Sequence, residues 1–388
     1  MTGKVTSIAQ ARAAARRKAE TSHVNGRIVS ILLVTVVVLI VLGLGATLSA
    51  SSIEGLADAQ DQYFYVKRQL IGLGIGIVAM VVLSRFNYRG YRRLAIPLFW
   101  GTLVLLLLVM VVGLQSGGSR RWLPVGSFTF QPSELAKLSV ILTMAVLLER
   151  KQRLLGQWKH FLGPVMFCIG LTGLLVVLQP DLGTAIVIAA AGLSVVLVSR
   201  APFRYVLGLA VMAVVAAGLL ALVEGYRMDR IDGFIDPWAD PQGTGYQVIQ
   251  GYYALGTGGL FGVGLGASRA RWDYLPNAHT DFIFAIVGEE TGLLGAMIVI
   301  GLCLVLALAG WFIASRAPDR YGRMIAAGIT GWLSTQALIN IGGVLGLLPI
   351  TGIVLPFVSY GATAMVVSLA AVGVMVNIAQ HGTAHAEP

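Results

Sequence analysis

The chain has 388 residues, 56% hydrophobic and only 12% charged, with a mean hydropathy of +0.80 and a formal charge of +10. A soluble domain of this size has no use for so much apolar surface; repeated apolar runs of about 20 residues define an all-α polytopic membrane protein. The positive charge would suggest nucleic acid in a soluble chain, but most of the excess sits in short loops, where membrane topology accounts for it, so no nucleic acid is expected.

Residues 1–27 are polar and basic and read as a loosely ordered cytoplasmic tail, with an amphipathic surface helix as the alternative. The first apolar run behind them is as long as a full span, which reads as a membrane helix rather than a cleavable signal. Ten transmembrane helices follow, at roughly 28–50, 67–84, 94–114, 134–149, 160–178, 182–199, 203–224, 281–314, 321–347 and 352–380. They make one membrane domain over 28–380, and 381–388 read as a second cytoplasmic tail. Cys168 and Cys303 fall inside spans, and the sequence holds neither a disulfide framework nor a metal-ligand spacing.

With both termini in the cytoplasm, 19 of the 28 Lys and Arg residues lie on inner segments, among them Arg89, Arg92, Arg200, Arg320 and Arg323. Most acids fall on the other side, as the positive-inside rule requires for an even span count.

The exceptions gather on the outer face. The second outer loop, residues 117–138, carries Arg120 and Arg121 against the topological bias. Pro132 suits a first helical position and Glu134 a first turn. Lys137 then lies about one turn inside the membrane, either paired with Glu134 at i,i+3 or held for an anionic ligand. Asp181 follows a minimal turn, where it either caps the next helix or lines a cavity.

The one long extracytoplasmic loop, 225–280, lies between helices 7 and 8. It begins with Arg227 and Arg230 alternating with acids and continues into glycines at 256–266, which read as a re-entrant segment packed on helices. GVGLG there lacks the strand and βαβ unit of a dinucleotide site.

The stretch WDYLPNAHTDFIFAIVGEET, residues 272–291, joins that loop to an apolar helix. Asp281 sits where the helix should begin, after His279 and Thr280, with Glu289 and Glu290 about two turns further in. Ionisable groups at this depth are costly and so are functional candidates, while Asp281 alone would also serve as a helix N-cap. From Phe282 to Ala314 is roughly 50 Å of helix against a core of about 30 Å, so it must tilt, protrude or break, and Gly288, Thr291 and Gly292 mark the place a break would take. Pro356 should kink the tenth span.

Arg120, Arg121, Lys137, Asp181, Arg227, Arg230, Asp273, His279 and Asp281 therefore all belong to one face. Cations beside a membrane groove suit a phosphorylated lipid, with Arg as a forked donor set and Lys as a point charge. A nearby carboxylate suits a general base. Asp273 and Asp281 could form a carboxylate pair, but loop spacing does not give their distance.

RRW with FTFQPSELAKL, QPDLGTA, DPQGTGYQ, LPNAHTDFIFAIVGEETG and LPITGIVLPFVSYG together resemble the SEDS family (shape, elongation, division and sporulation) over about residues 28–380. The first outer loop is more similar to the family's division branch than to its elongation branch. The resemblance implies a bacterial multi-pass protein of the cytoplasmic membrane, at the septum in the division branch. It implies polymerisation of lipid II into β-1,4 glycan strands on the outer face, with inversion at the anomeric carbon. It implies Asp281 as the catalytic carboxylate, Asp273 as an acidic position of the same loop, and Lys137 as the family's lysine. Arg120, Arg121, Asp181, Arg227 and His279 complete the expected substrate-binding set. A divalent cation, Mg or Mn, at the pyrophosphate is compatible with this chemistry, though no ligand set demands one. The implied partners are lipid II, a class B penicillin-binding protein, other division proteins and membrane lipids. This chain departs from the family pattern in reading SYGATA at 359–364 and Gly251 after Gln250. A lipid II flippase and a non-catalytic scaffold are the competing readings; a flippase needs polar groups from both faces, whereas nearly all the acids lie at one.

Overall fold

The computed structural model describes residues 2–116, 119–126, 128–223, 225–269, 275–276 and 278–381, with no side chain described for 2–23, 116, 221–223 or 225–227. The backbone is mostly helical: α1 (Thr2–Ala59), α2 (Phe64–Arg85), α3 (Tyr91–Val112), α4 (Pro132–Arg150), α5 (Trp158–Val165), α6 (Leu171–Val177), α7 (Leu182–Leu197), α8 (Phe203–Val223), α9 (Gly225–Ile235), α10 (Tyr246–Gly258), α11 (Ile283–Ser315), α12 (Arg320–Val344) and α13 (Ala362–His381). Among the described residues, eight helical segments are long and apolar enough to cross a membrane. Two more segments read as spans from the sequence, α4 and α7, pack among them. α12 and α13 are the most enclosed of the long spans, whereas α2 and α8 turn most of their surface outward, as lipid-facing helices do.

Four features differ from the sequence reading. The segment expected to be a loose tail is helical from Thr2 and continuous with the first span. The chain is not all-α: β1 (Leu114–Ser116), β2 (Ser119–Val125) and β3 (Phe128–Phe130) form an antiparallel sheet in that order, with Gln115 opposite Arg120 and Pro124 opposite Thr129. Gly117-Gly118 and Gly126-Ser127 separate these strands in sequence, residue types that tight hairpin reversals favour. The fifth span contains a π turn, Met166–Gly170, that starts two residues after Pro164, whose missing N–H interrupts the helical ladder.

The fourth difference bears on the site. The last helix begins at Ala362, not near 352, and the preceding segment is irregular, with Phe357 at φ 65°. Side chains satisfy its backbone. Gln336 donates to the Val354 carbonyl at 2.9 Å, Ser359 Oγ accepts from the Leu355 N–H at 2.8 Å, and Gln69 accepts from the Gly361 N–H at 3.0 Å. Irregular backbone among spans persists only when it is paired in this way.

α11 breaks at Gly292, whose φ of 69° and ψ of −167° leave the helix. The glycine segment of the long loop packs into that break. Val263 and Gly264 donate to the carbonyls of Glu289 and Glu290 at 2.9 and 3.1 Å, and Leu293 donates to the Gly259 carbonyl at 2.9 Å. A Cβ on Gly262 would stand 2.1 Å from the Glu290 carbonyl, so only glycine allows this approach. The hairpin, α9, α10, the irregular 350–361 segment and the start of α11 thus gather at one end of the bundle.

Candidate active site

Asp281 lies two residues before α11. The side chains of Phe282 and Phe284 are fully enclosed and anchor the turn, and Asn340 on α12 donates to the Asp281 carbonyl at 2.9 Å. The helix starts with Phe282 as its cap residue and no side-chain cap. The carboxylate is therefore not spent on the helix end, which was the structural alternative for this residue.

The carboxylate faces the irregular segment and α9. A side chain at Gly352 would meet Asp281 Oδ2 at 3.4 Å and Arg230 Nη1 at 3.5 Å, so both groups flank that glycine. Arg230 is tied to the same wall, donating to the Ile350 carbonyl at 3.1 Å. Burial pushes the Asp281 carboxyl above the ordinary carboxylate range; Arg230 opposes this most strongly, then His279 and Arg121, while Asp181 adds to the rise.

Arg121 and Asp181 form the other side. Arg121 Nε donates to the Gln179 carbonyl at 3.2 Å and Nη2 to the Pro180 carbonyl; Nη1 stands 3.9 Å from Asp181 Oδ2. Asp181 also accepts from the Thr184 N–H at 3.1 Å, so it does cap α7. Both readings of this residue hold, since it lines a cavity as well. That cavity, of about 270 Å³, is bounded by Arg121, Asp181, Arg230, Leu348, Pro349 and Thr351, among others. Asp281 lies in an adjoining crevice that shares Ile339, Ile350 and Thr351 with it.

Of the other expected residues, Arg120, His279 and Lys137 line neither the cavity nor the crevice. Arg120 alternates with Arg121 along β2 and so faces away, donating to the Val111 carbonyl at 3.3 Å. His279 is buried, with Nδ1 2.8 Å from Glu54 Oε2 and its ring 4.8 Å from Tyr65 and 5.5 Å from Tyr360. Lys137 is buried too: Nζ donates to Glu134 at 2.8 Å and Gln336 at 3.0 Å and lies 5.0 Å from the Trp332 ring. The ion pair with Glu134 accounts for Lys137 in this structure. Arg227 lies on α9, but its side chain is outside the described residues, as is Asp273 entirely. Glu289 accepts from Ser268 and the Arg269 N–H, and Glu290 from Ser49. These two acids pin the broken helix to its neighbours.

Sequence reasoning underrated Arg230, Asn340 and Gly352. Asn340 carried a signal, a polar side chain near the end of an apolar span. Among the described residues no group of three or more His, Cys, Asp and Glu could hold a metal ion. Among the described residues the site's positive charge comes from Arg121 and Arg230.

Residues 30–384 match the family model FTSW_RODA_SPOVE, described as cell cycle protein. The chain is 39% identical over 350 residues to a protein of Geobacter sp. (strain M18) named probable peptidoglycan glycosyltransferase FtsW, covering 90% of this chain and 95% of that one. It is 39% identical over 353 residues to stage V sporulation protein E of Bacillus subtilis (strain 168), covering 90% and 96%. Among solved structures, it aligns with TM-score 0.75 and 30% identity to a chain reported under "Structural coordination of polymerization and crosslinking by a peptidoglycan synthase complex", over 90% of this chain and 97% of that one. The crystal structure of Thermus thermophilus rod shape determining protein RodA aligns with TM-score 0.67 and 29% identity, over 90% and 96%. A match over nearly the whole length, with one fold and one set of motifs, makes this chain a member of the FtsW/RodA/SpoVE family of cell-cycle proteins.

Proposed function

We propose that this protein is a peptidoglycan glycosyltransferase that polymerises lipid II into β-1,4 glycan strands at the outer face of the bacterial cytoplasmic membrane. The observation that carries the reading is the Asp281 carboxylate, uncapped and facing Arg230 beside a cavity that combines arginines with an apolar wall. In this reading the chain crosses the membrane ten times with both termini in the cytoplasm. Residues 28–380 form the membrane domain and the long loop stands outside.

Asp281 accepts the proton of the acceptor's 4-hydroxyl. The freed oxygen pair attacks the donor's anomeric carbon, the bond from that carbon to pyrophosphate breaks, and undecaprenyl pyrophosphate leaves with the electron pair. One displacement converts an α-linked pyrophosphate to a β-1,4 bond, so a single base suffices. Arg230 and Arg121 present forked donors to the pyrophosphate and stabilise the charge that grows on it. The apolar side chains at Leu182, Ile186, Ala217 and Leu348 give the lipid tail a wall. A divalent cation on the pyrophosphate would be held chiefly by phosphate oxygens, and no step here runs through it.

Septal synthesis is the proposed setting, supported by the likeness to proteins named FtsW. The proposed partner is a class B penicillin-binding protein, supported by the likeness to a structure of a complex that couples polymerisation to crosslinking. The test is glycan synthesis by the purified protein with that partner on labelled lipid II. Polymer supports the enzyme. Lipid II translocated across vesicles without polymer would move the assignment to a flippase.

A further inference from the structure

A second cavity lies at the opposite end of the bundle and has no part in the proposed chemistry. From Arg320 to Asn340 along α12 is about 30 Å, roughly one membrane core away from the Asp281 site. The cavity has a volume of about 280 Å³ and sits among the carboxyl ends of α4 and α7 and the amino end of α12. Arg200, just beyond α7, and Arg320 and Arg323, in the first turn of α12, converge on it, with Gln152 and Ser199 as further polar walls.

Its acids are already matched. Glu149 lines the cavity but pairs with Arg92 at 2.7 Å. Asp319 caps α12 through the Gly322 N–H at 2.8 Å and lies 3.5 and 3.7 Å from Arg89 and Arg92. Arg89 and Arg92 do not line the cavity, so the three arginines that do are left in excess. Arg320 donates to Gln152. Among the described residues, the guanidinium groups of Arg200 and Arg323 make neither a hydrogen bond nor an ion pair. The amino end of α12 adds the positive pole of a 25-residue helix. Next to the cavity the surface turns apolar and outward: Leu197 is 57% and Phe203 73% exposed, and Val198 belongs to the cavity wall itself.

We propose that this cavity binds the phosphate of an anionic phospholipid, with Arg200 and Arg323 on the phosphate and the acyl chains along Leu197, Val198 and Phe203. Forked arginine donors match the phosphate oxygens. The apolar margin selects a lipid over a soluble phosphate, which would leave that surface unused.

The test is native mass spectrometry of the full chain titrated with phosphatidylglycerol or phosphatidylcholine. Wild type is expected to bind phosphatidylglycerol more tightly. Arg200→Gln with Arg323→Gln should weaken that binding by about 5-fold for each arginine, or about 25-fold for the pair. Arg85→Gln, an exposed arginine at the same end outside the cavity, should leave it unchanged. Arg200→Lys with Arg323→Lys should keep much of the binding, separating lost charge from lost fold. Equal phosphatidylglycerol binding by wild type and the glutamine pair would overturn the proposal. So would displacement of the lipid by glycerol 3-phosphate at equal concentration, which would make the ligand a soluble phosphate.

Discussion

Asn340 holds Asp281 by its backbone: the side-chain amide donates to the Asp281 carbonyl at 2.9 Å and to the Ile353 carbonyl at 2.7 Å. One buried amide thereby fixes both the approach to α11 and the segment that carries Gly352. Asn340→Ala removes the donor from two carbonyls, at about 1–3 kcal/mol for each left unpaired. Melting temperature should fall, and polymerisation should fall at least about tenfold through misplacement of the base. Wild-type turnover in a variant that melts earlier would reduce Asn340 to a role in stability alone.

As the proposed base, Asp281 must be ionised to work, and burial raises its pKa while Arg230 is the strongest opposing charge. The rate should therefore fall on acidification through a midpoint above the ordinary aspartate value of 3.8. Arg230→Gln removes the cation that favours the carboxylate, so its acid limb should move to higher pH, with kcat/KM lowered as pyrophosphate loses a donor. Rate profiles of the two proteins across the acid range check this; an unmoved limb would separate Arg230 from Asp281.

Lys137 and Glu134 behave as a buried pair, 2.7 Å apart with side chains 2% and 5% exposed. Lys137→Met alone leaves a buried carboxylate unpaired, a change of about 3–5 kcal/mol. Adding Glu134→Gln should recover most of the lost stability, and with it much of the activity. Thermal unfolding and turnover of the single and double variants test this. A double variant that folds well but has a sharply raised KM would return Lys137 to the substrate.

Gly352 adopts φ 72°, and a Cβ there would contact both Asp281 and Arg230. Gly352→Ala should cost about 1–2 kcal/mol in backbone strain. It should also lower kcat more than it lowers melting temperature would explain, because the new methyl enters the space between base and cation. Turnover of this variant at a temperature well below its melting point is the relevant measurement.

Much of the fold was legible in the sequence, because lipid imposes a strong pattern. Span positions follow from apolar run length, and a helix too long for the bilayer had to tilt, protrude or break, with Gly288 and Gly292 marking the place where it does break. The hairpin was not legible, since β1 and β3 have three residues each and carry no alternation to count. The irregular 350–361 segment reads as apolar helix, and only its partners Gln69, Gln336 and Asn340, remote in sequence, reveal why it is not. At the site, the motif around Asp281 was legible and its neighbours were only partly so. Arg227 and Arg230 look alike in sequence, and it is the packing of α9 that brings Arg230 to Gly352. Arg120 and Arg121 also look alike until they are placed on a strand.

The most direct measurement is lipid II polymerisation by wild type and Asp281→Asn, each with the proposed penicillin-binding partner. Asn keeps the size of the side chain and removes its basicity. Because the folded carboxyl titrates above its unfolded value, the folded state loses stability as pH rises between the two, and Asn removes that loss. The variant should therefore fold at least as well at neutral pH while losing about 10²–10⁴-fold in rate. Equal polymer from both proteins would contradict the account and leave Asp281 without a part in the chemistry.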